Sequence, residues 1–448
     1  MRRDFRKRLV AVLALALLVR APVVISIFSE PQRAILASDS RQYLGLAAIL
    51  ASHGVFSQTP PPPLQPEVLR TPGYPAFIAP FMLLWGPQPL KALVAAQAII
   101  GALTAVGVAL LGRWLFDERT GTLAGVTYAL APMSAVMTGY VYAETLFAAC
   151  LVGGAVLLVR GLEDERWWLS AAGGVLFGMA TLTRPIGLLL LPLLILIPLT
   201  RMPLRSAWRY ALALIASFML VVGAWMGRNA FYFGHFGLTT ISNLNLYYYN
   251  AASLEAHRLG ISLEEARAML AERLSEQPPD DSRWPGSREG ALARSIILEH
   301  PVAFAWYNGL DALNGLRPGF SFMLGLLDES GGTRDPISAF IAGDIPAILT
   351  AMRGQRVVIL LLEGYMLLFT GLLVGLSVAG SLMLLLRRRW SEVVLLALIP
   401  ALLLYLPGIA SNARFRAPVE TFLAILAAAG ATGLLAMLSR SRRAGEAD

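Results

Sequence analysis

The chain has 448 residues, of which 56% are hydrophobic and only 15% charged, and a mean hydropathy of +0.62 excludes an ordinary water-soluble domain. The net charge of +8 does not point to nucleic acid, because the lysines and arginines collect at the ends of apolar runs, where membrane topology accounts for them. A single cysteine, Cys150, excludes an internal disulfide framework and a cysteine-based zinc site.

The start MRRDFRKR resembles that of a signal peptide, but apolar sequence continues past Arg20 and no clear small-x-small cleavage site appears, so 9–28 reads as an uncleaved first span. Arg20 must face protein or snorkel, since arginine at the centre of an isolated membrane helix costs about 2.5–3.5 kcal/mol. Further apolar segments lie near 88–112, 119–136, 138–159, 167–183, 185–200, 207–227, 357–386, 391–408 and 418–438, giving about ten spans. The expected fold class is an all-α polytopic membrane protein. Segment 76–85 is too short to cross and is followed by GPQP, which places it at the interface or in a re-entrant position.

Basic residues set the orientation. With a cytoplasmic N-terminus, the clusters at Arg2–Arg8, Arg113 and Arg119, Arg160 and Arg166, Arg201–Arg209, Arg387–Arg389 and Arg440–Arg443 all fall inside, against Arg184, Arg414 and Arg416 in the short segments outside. Both termini are then cytoplasmic in a plasma (inner) membrane protein. The organisation expected is an N-terminal transmembrane module over 1–227 with a first outer loop at 29–87, a large outer-face region at 228–356, and C-terminal transmembrane helices over 357–448. The outer loops carry amphipathic helices: one from Ser40 to Ala51, before an extended proline run, and one in LEEARAMLAERL, followed by a polar Pro/Gly loop and a helix interrupted at Pro301.

Chemistry is expected on that outer face. Asp39, beside Arg41 and just beyond the first span, is placed to take a proton from an incoming hydroxyl, or else to cap the helix starting at Ser40. Glu144 opens a span, where an ionised carboxylate is costly unless paired, or else simply suits a helix start. Arg70, Arg184, Arg228, Arg317, Arg414 and Arg416 supply positive charge; Arg414 and Arg416 suit a phosphate clamp at headgroup depth, while anionic lipids are the plainer partner. Arg184, in TRP, is equally read as a helix boundary. Tyr247 and Tyr248, within NLNLYYYNAAS, belong to an aromatic belt or stack on sugar rings and lipid heads. His53, His235 and His300 show no ligand spacing; Asp39 and Glu144 are the pair that would hold a divalent metal, which nothing in the spacing supports.

These pieces, in order, resemble a known family. An acid after the first span, RTPGYPAF, YVYAETLFAACLVGGAVLLVRGL, GMATLTRPIGLLLLP, GAWMGRNAFYFGHFGL and ILEHPVAFAW are similar to the segments of bacterial GT-C glycosyltransferases of the dolichyl-phosphate-mannose-protein mannosyltransferase-like type, glycosyltransferase family 39. The resemblance implies a GT-C transmembrane helix bundle that moves one sugar, with inversion, from a polyprenyl phosphate to an acceptor hydroxyl of a glycan, lipid or protein on the non-cytoplasmic side. It implies Asp39 as general base, Glu144 as a second acid of the site, and Arg414, Arg416 and Arg228 as holders of the lipid phosphate. Two departures stand out: Ser40 follows Asp39 where many relatives carry a second acid, and Arg70–Thr71 precede the proline of PGYP where related aminoarabinose transferases carry an acid, with Glu67 lying earlier. Arg70 is therefore a further candidate for the donor phosphate. No cofactor is required, because a lipid-phosphate sugar is already activated, and no P-loop or Rossmann fingerprint occurs. The competing readings are an O-antigen ligase or polymerase that uses a pyrophosphate lipid, and a lipid-linked sugar flippase or transporter, against which stand the absence of inverted repeats and the position of most charges at span ends.

Overall fold

The structure, a computed structural model, describes residues 3–36, 38–58, 65–278, 282–327 and 357–445. The proline run and the end of the 228–356 region lie outside the described residues. Helices account for nearly all of the described chain, and its only β-pairing is an isolated bridge between Ser57 and Pro66.

The helices follow the apolar segments closely: α1 (Arg3–Ser29), α2 (Ser38–His53), α3 (Gly73–Trp85), α4 (Leu90–Leu115), α5 (Glu118–Leu130), α6 (Pro132–Val136), α7 (Glu144–Glu163), α8 (Trp167–Thr183), α9 (Leu191–Arg201) and α10 (Leu204–Phe233). Beyond them come short helices between Ile241 and Leu327, then Val357–Leu386, the segment Trp390–Tyr405 and a final helix, Ala413–Gly445. Six described helices are long and apolar enough to cross a bilayer: α1, α4, α7, α10, Leu361–Leu386 and Ala413–Ser439. The expected count of about ten is not reached on this criterion, because 167–183, 185–200 and 391–408 form shorter apolar helices. The span expected over 119–136 is broken: Ala131 is extended (ψ 113°) before Pro132, which restarts the chain as α6.

The helices pack as a bundle in which α1 lies on α4 and α5, α4 on α7, α7 on α8 and α8 on α10. The last helix closes it against Val357–Leu386, α5 and α7. Small residues permit that closure: a Cβ on Gly380 would lie 2.2 Å from the Leu426 carbonyl oxygen. Arg20 faces protein, fully buried, its Nη1 donating to the Ala16 carbonyl at 3.1 Å and its guanidinium 5.7 Å from the Tyr128 ring.

Between α10 and Val357 a separate layer of short helices forms. Leu263–Ser275, the helix expected in LEEARAMLAERL, begins with a capping box, Ser262 and Glu265 each bonding the other's backbone N–H. The helices Ser287–Glu299 and Pro301–Ala312 are separated at His300, consistent with the interruption expected at Pro301.

Candidate active site

Asp39 lies in the first turn of α2, at the end of the bundle where α7 and the last helix begin. Its Oδ1 accepts from Arg70 Nη2 at 2.5 Å, and its Oδ2 accepts from both terminal nitrogens of Arg414 at 3.1 Å. Glu144 opens α7, and its Oε1 lies 2.6 Å from Arg184 Nη1 and 2.7 Å from Arg414 Nε. Arg414 therefore joins the two carboxylates, with Arg70 and Arg184 pairing them from either side.

Local sequence explains how four distant segments meet. Gly73, in RTPGYP, is pressed so tightly on the end of α8 that a Cβ there would lie 2.6 Å from the backbone of Leu182. That contact sets the Arg70 and Arg184 segments side by side. Tyr74 donates to Gln97 on α4 at 2.6 Å, and Gln97 donates to the carbonyls of Thr138 and Tyr140, fixing the loop that leads into Glu144. Aromatic rings surround the cations: Tyr142 lies 4.3 Å from the Arg414 guanidinium, Phe415 4.7 Å from that of Arg184, and Tyr43 5.4 Å from that of Arg70.

The two acids differ in access. Glu144 exposes 2% of its side chain and Asp39 22%, so Asp39 is the carboxylate an incoming group meets. Burial works against its charge, but Arg70 and then Arg414 outweigh that and hold its carboxyl below the usual range. Three guanidiniums against two carboxylates leave one formal positive charge, suited to an anion entering from outside.

Other residues singled out in the sequence lie elsewhere. Arg416 does not join Arg414: residues two apart on a helix diverge by roughly 200°, and the helix already begins at Ala413. Fully buried, Arg416 binds Glu420 Oε1 at 3.0 Å and donates to the carbonyls of Leu316, Arg317 and Pro318. The clamp expected from it is corrected to a structural tie. Arg228 is also tied to protein, donating to the Glu67 carbonyl at 2.7 Å and to Asn229, with Trp225 and Tyr232 around it.

Arg41 is exposed on the side of α2 away from Asp39, beside a cavity of about 310 Å³ that Leu44, Met82, Gln88 and Leu90 also line. Tyr247 is buried against Leu254, Leu270 and Leu292 in the layer of short helices, and Tyr248 is exposed next to it. Neither tyrosine reaches the acid cluster through a described hydrogen bond or ring contact. Glu67 caps its own turn, accepting from the backbone of Val68 and Leu69. Among the described residues no group of three or more His, Cys, Asp or Glu is placed to hold a metal. The sequence reading left Arg184 open and overlooked Tyr142 and Gln42, which accepts from Arg70 Nε at 2.8 Å.

Comparison with known proteins bears on the fold. Residues 69–225 match the family model described as dolichyl-phosphate-mannose-protein mannosyltransferase. No curated protein matches the sequence. The oligosaccharyltransferase AglB from Archaeoglobus fulgidus, in complex with an inhibitory peptide and a dolichol-phosphate, aligns over 98% of this chain and 52% of its own, with a TM-score of 0.55 and 15% identity. The apo form of the same enzyme gives the same figures. ArnT from Cupriavidus metallidurans bound to undecaprenyl phosphate aligns over 95% of this chain and 78% of its own at 16% identity, with a TM-score of 0.43. The chain spans about half the length of the AglB structure. The protein is thus an integral membrane protein with the GT-C glycosyltransferase fold. Within it, the stretch that brings Arg70, Glu144 and Arg184 to the site is the one that matches the mannosyltransferase family.

Proposed function

We propose that the protein is a membrane glycosyltransferase that moves a monosaccharide from a polyprenyl phosphate to an acceptor hydroxyl on the non-cytoplasmic side. The observation that carries this reading is the joining of Asp39 and Glu144 by Arg414, with Arg70 and Arg184 alongside. One partly accessible carboxylate and a surplus of guanidinium charge are what the reaction demands.

In the free protein the arginines occupy Asp39. A lipid phosphate entering between Arg70 and Arg414 competes for both, and Asp39 regains basicity as its cations turn to the anion. The acceptor O–H then gives its proton to Asp39 while its oxygen bonds the anomeric carbon. The bond from that carbon to the phosphate oxygen breaks, and its electron pair leaves on the phosphate, which Arg70 and Arg414 stabilise. A single displacement of this kind inverts the anomeric centre. Glu144, buried and paired to Arg184, holds Arg414 in register; it is too enclosed to act as the base.

The test is transfer of a radiolabelled sugar from purified polyprenyl-phosphate sugars by the protein in lipid nanodiscs. A glycosylated product with inverted configuration is expected. Use of pyrophosphate-linked oligosaccharide alone, or vectorial movement of the donor without covalent product, would replace the reading with a ligase or a flippase.

A further inference from the structure

The helix Pro301–Ala312 is built inside out for a helix in water. Its polar residues are buried: Asn308 accepts from Asn250 and donates to the Tyr405 carbonyl, both at 2.8 Å, and Asp311 accepts from Ser253 at 2.5 Å and lies 3.3 Å from His257. Its outward face carries Pro301, Val302, Ala305, Trp306 and Leu310, continued by Leu298 before it and Leu313 after it. Val302 is 82% exposed whereas Asp311 is 9% exposed. Spacing at i, i+4 and i+8 makes this one continuous stripe, with no charged side chain on the outward face of the helix.

We propose that this face lies in the lipid of the leaflet on the active-site side, with the helix parallel to the membrane. Water would make so apolar a stripe unfavourable. The helix is 12 residues, about 18 Å by its rise, too short to cross a core of about 30 Å. Its depth is fixed by its neighbour: Asn308 bonds the Tyr405 carbonyl, at the end of the apolar segment Trp390–Tyr405, and Tyr405 OH donates back to the Ala305 carbonyl at 3.4 Å. The stripe thus adjoins the end of that apolar segment, and Trp306 is the residue type that anchors such helices at the interface. This region, read from sequence as part of the outer-face stretch 228–356, becomes a membrane-embedded edge of the short-helix layer. The inference does not depend on the proposed transferase activity.

Site-directed spin labelling tests it. The one cysteine, Cys150, is buried, so V302C, L310C and, as an aqueous reference, E272C can be labelled singly in a C150A background. Accessibility to oxygen and to a water-soluble nickel chelate is then compared in liposomes. Labels at 302 and 310 are expected to favour oxygen severalfold over nickel, and the label at 272 the reverse. Preference for nickel at 302 and 310 would overturn the proposal, as would low accessibility to both reagents, which would indicate a protein partner or a second copy. An independent readout uses brominated phospholipids, whose quenching of tryptophan emission is expected to be smaller in W306F than in the parent. Equal quenching would contradict the immersion of Trp306.

Discussion

Arg414 Nε lies 2.7 Å from Glu144 Oε1, while the other end of the same guanidinium holds Asp39 at 3.1 Å. One planar cation thereby fixes the separation of two acids drawn from α2 and α7, and substitutions at and around it have distinct expected outcomes.

Replacing Arg414 by lysine keeps the charge but loses the fork that reaches both acids. In R414K, kcat for sugar transfer is expected to fall by about 10²-fold or more, on the scale of a lost transition-state donor, while the thermal transition moves little. Steady-state kinetics beside a thermal melt in the same detergent measures both.

Arg416 is expected to behave in the opposite way. Its removal leaves Glu420 charged and fully buried, with Ser134 the one hydrogen-bonding partner left to it among the described residues, at 2.6 Å and 3.0 Å. R416Q should cost about 3–5 kcal/mol of stability, seen as a lowered thermal midpoint, with transfer by the surviving folded fraction nearly intact. A variant of wild-type stability with no activity would restore Arg416 to the site.

The pH dependence of Asp39 follows from its neighbours. Its folded-state pKa is depressed by Arg70 and Arg414, so the stability these ion pairs give is present above the unfolded pKa, about 3.9, and is lost as pH falls through the folded value. Removing Arg70 raises that folded value. In R70Q the acidic limb of the kcat/KM profile is expected to move to higher pH. No movement, or a shift to lower pH, would mean that Arg70 does not control the group that titrates.

Gly73 tests how the site is assembled. In G73A a Cβ would press on the backbone of Leu182 at 2.6 Å, where no flexible side chain can give way. Overpacking of this kind costs about 1–3 kcal/mol, and the separation of Arg70 from Arg184 should change with it. Thermal melts and donor KM are expected to worsen together.

Much of this arrangement was legible in the sequence because membrane chains place charge sparingly. An acid after the first span and another at the head of α7 stand out against apolar surroundings, and Asp39, Glu144, Arg70 and Arg414 do meet. Arg416 departs from the expectation because an apolar segment near 418–438 leaves both arginines in the stretch before the last span. Once the helix begins at Ala413, alternate residues point apart, and only one of the two arginines reaches the acids. Arg184 was ambiguous for a different reason: it does sit at a helix boundary, as its position suggests, and that boundary is what aims it at Glu144. Tyr247 carries no sequence mark to distinguish it from Tyr248, since burial in the short-helix layer depends on packing against residues up to Ile296. Six of the expected spans meet the length and hydropathy of a crossing helix; the break at Ala131–Pro132 and the shortness of the helices flanking Arg184 keep others below that criterion.

The decisive measurement is single-turnover sugar transfer by D39N in nanodiscs, with binding of polyprenyl phosphate measured on the same sample. The carboxamide keeps the shape of the side chain but cannot take a proton, so the rate should drop by about 10²–10⁴-fold while the lipid phosphate still binds. Transfer at the wild-type rate would show that Asp39 is not the base, and the role assigned to the whole cluster would fall with it.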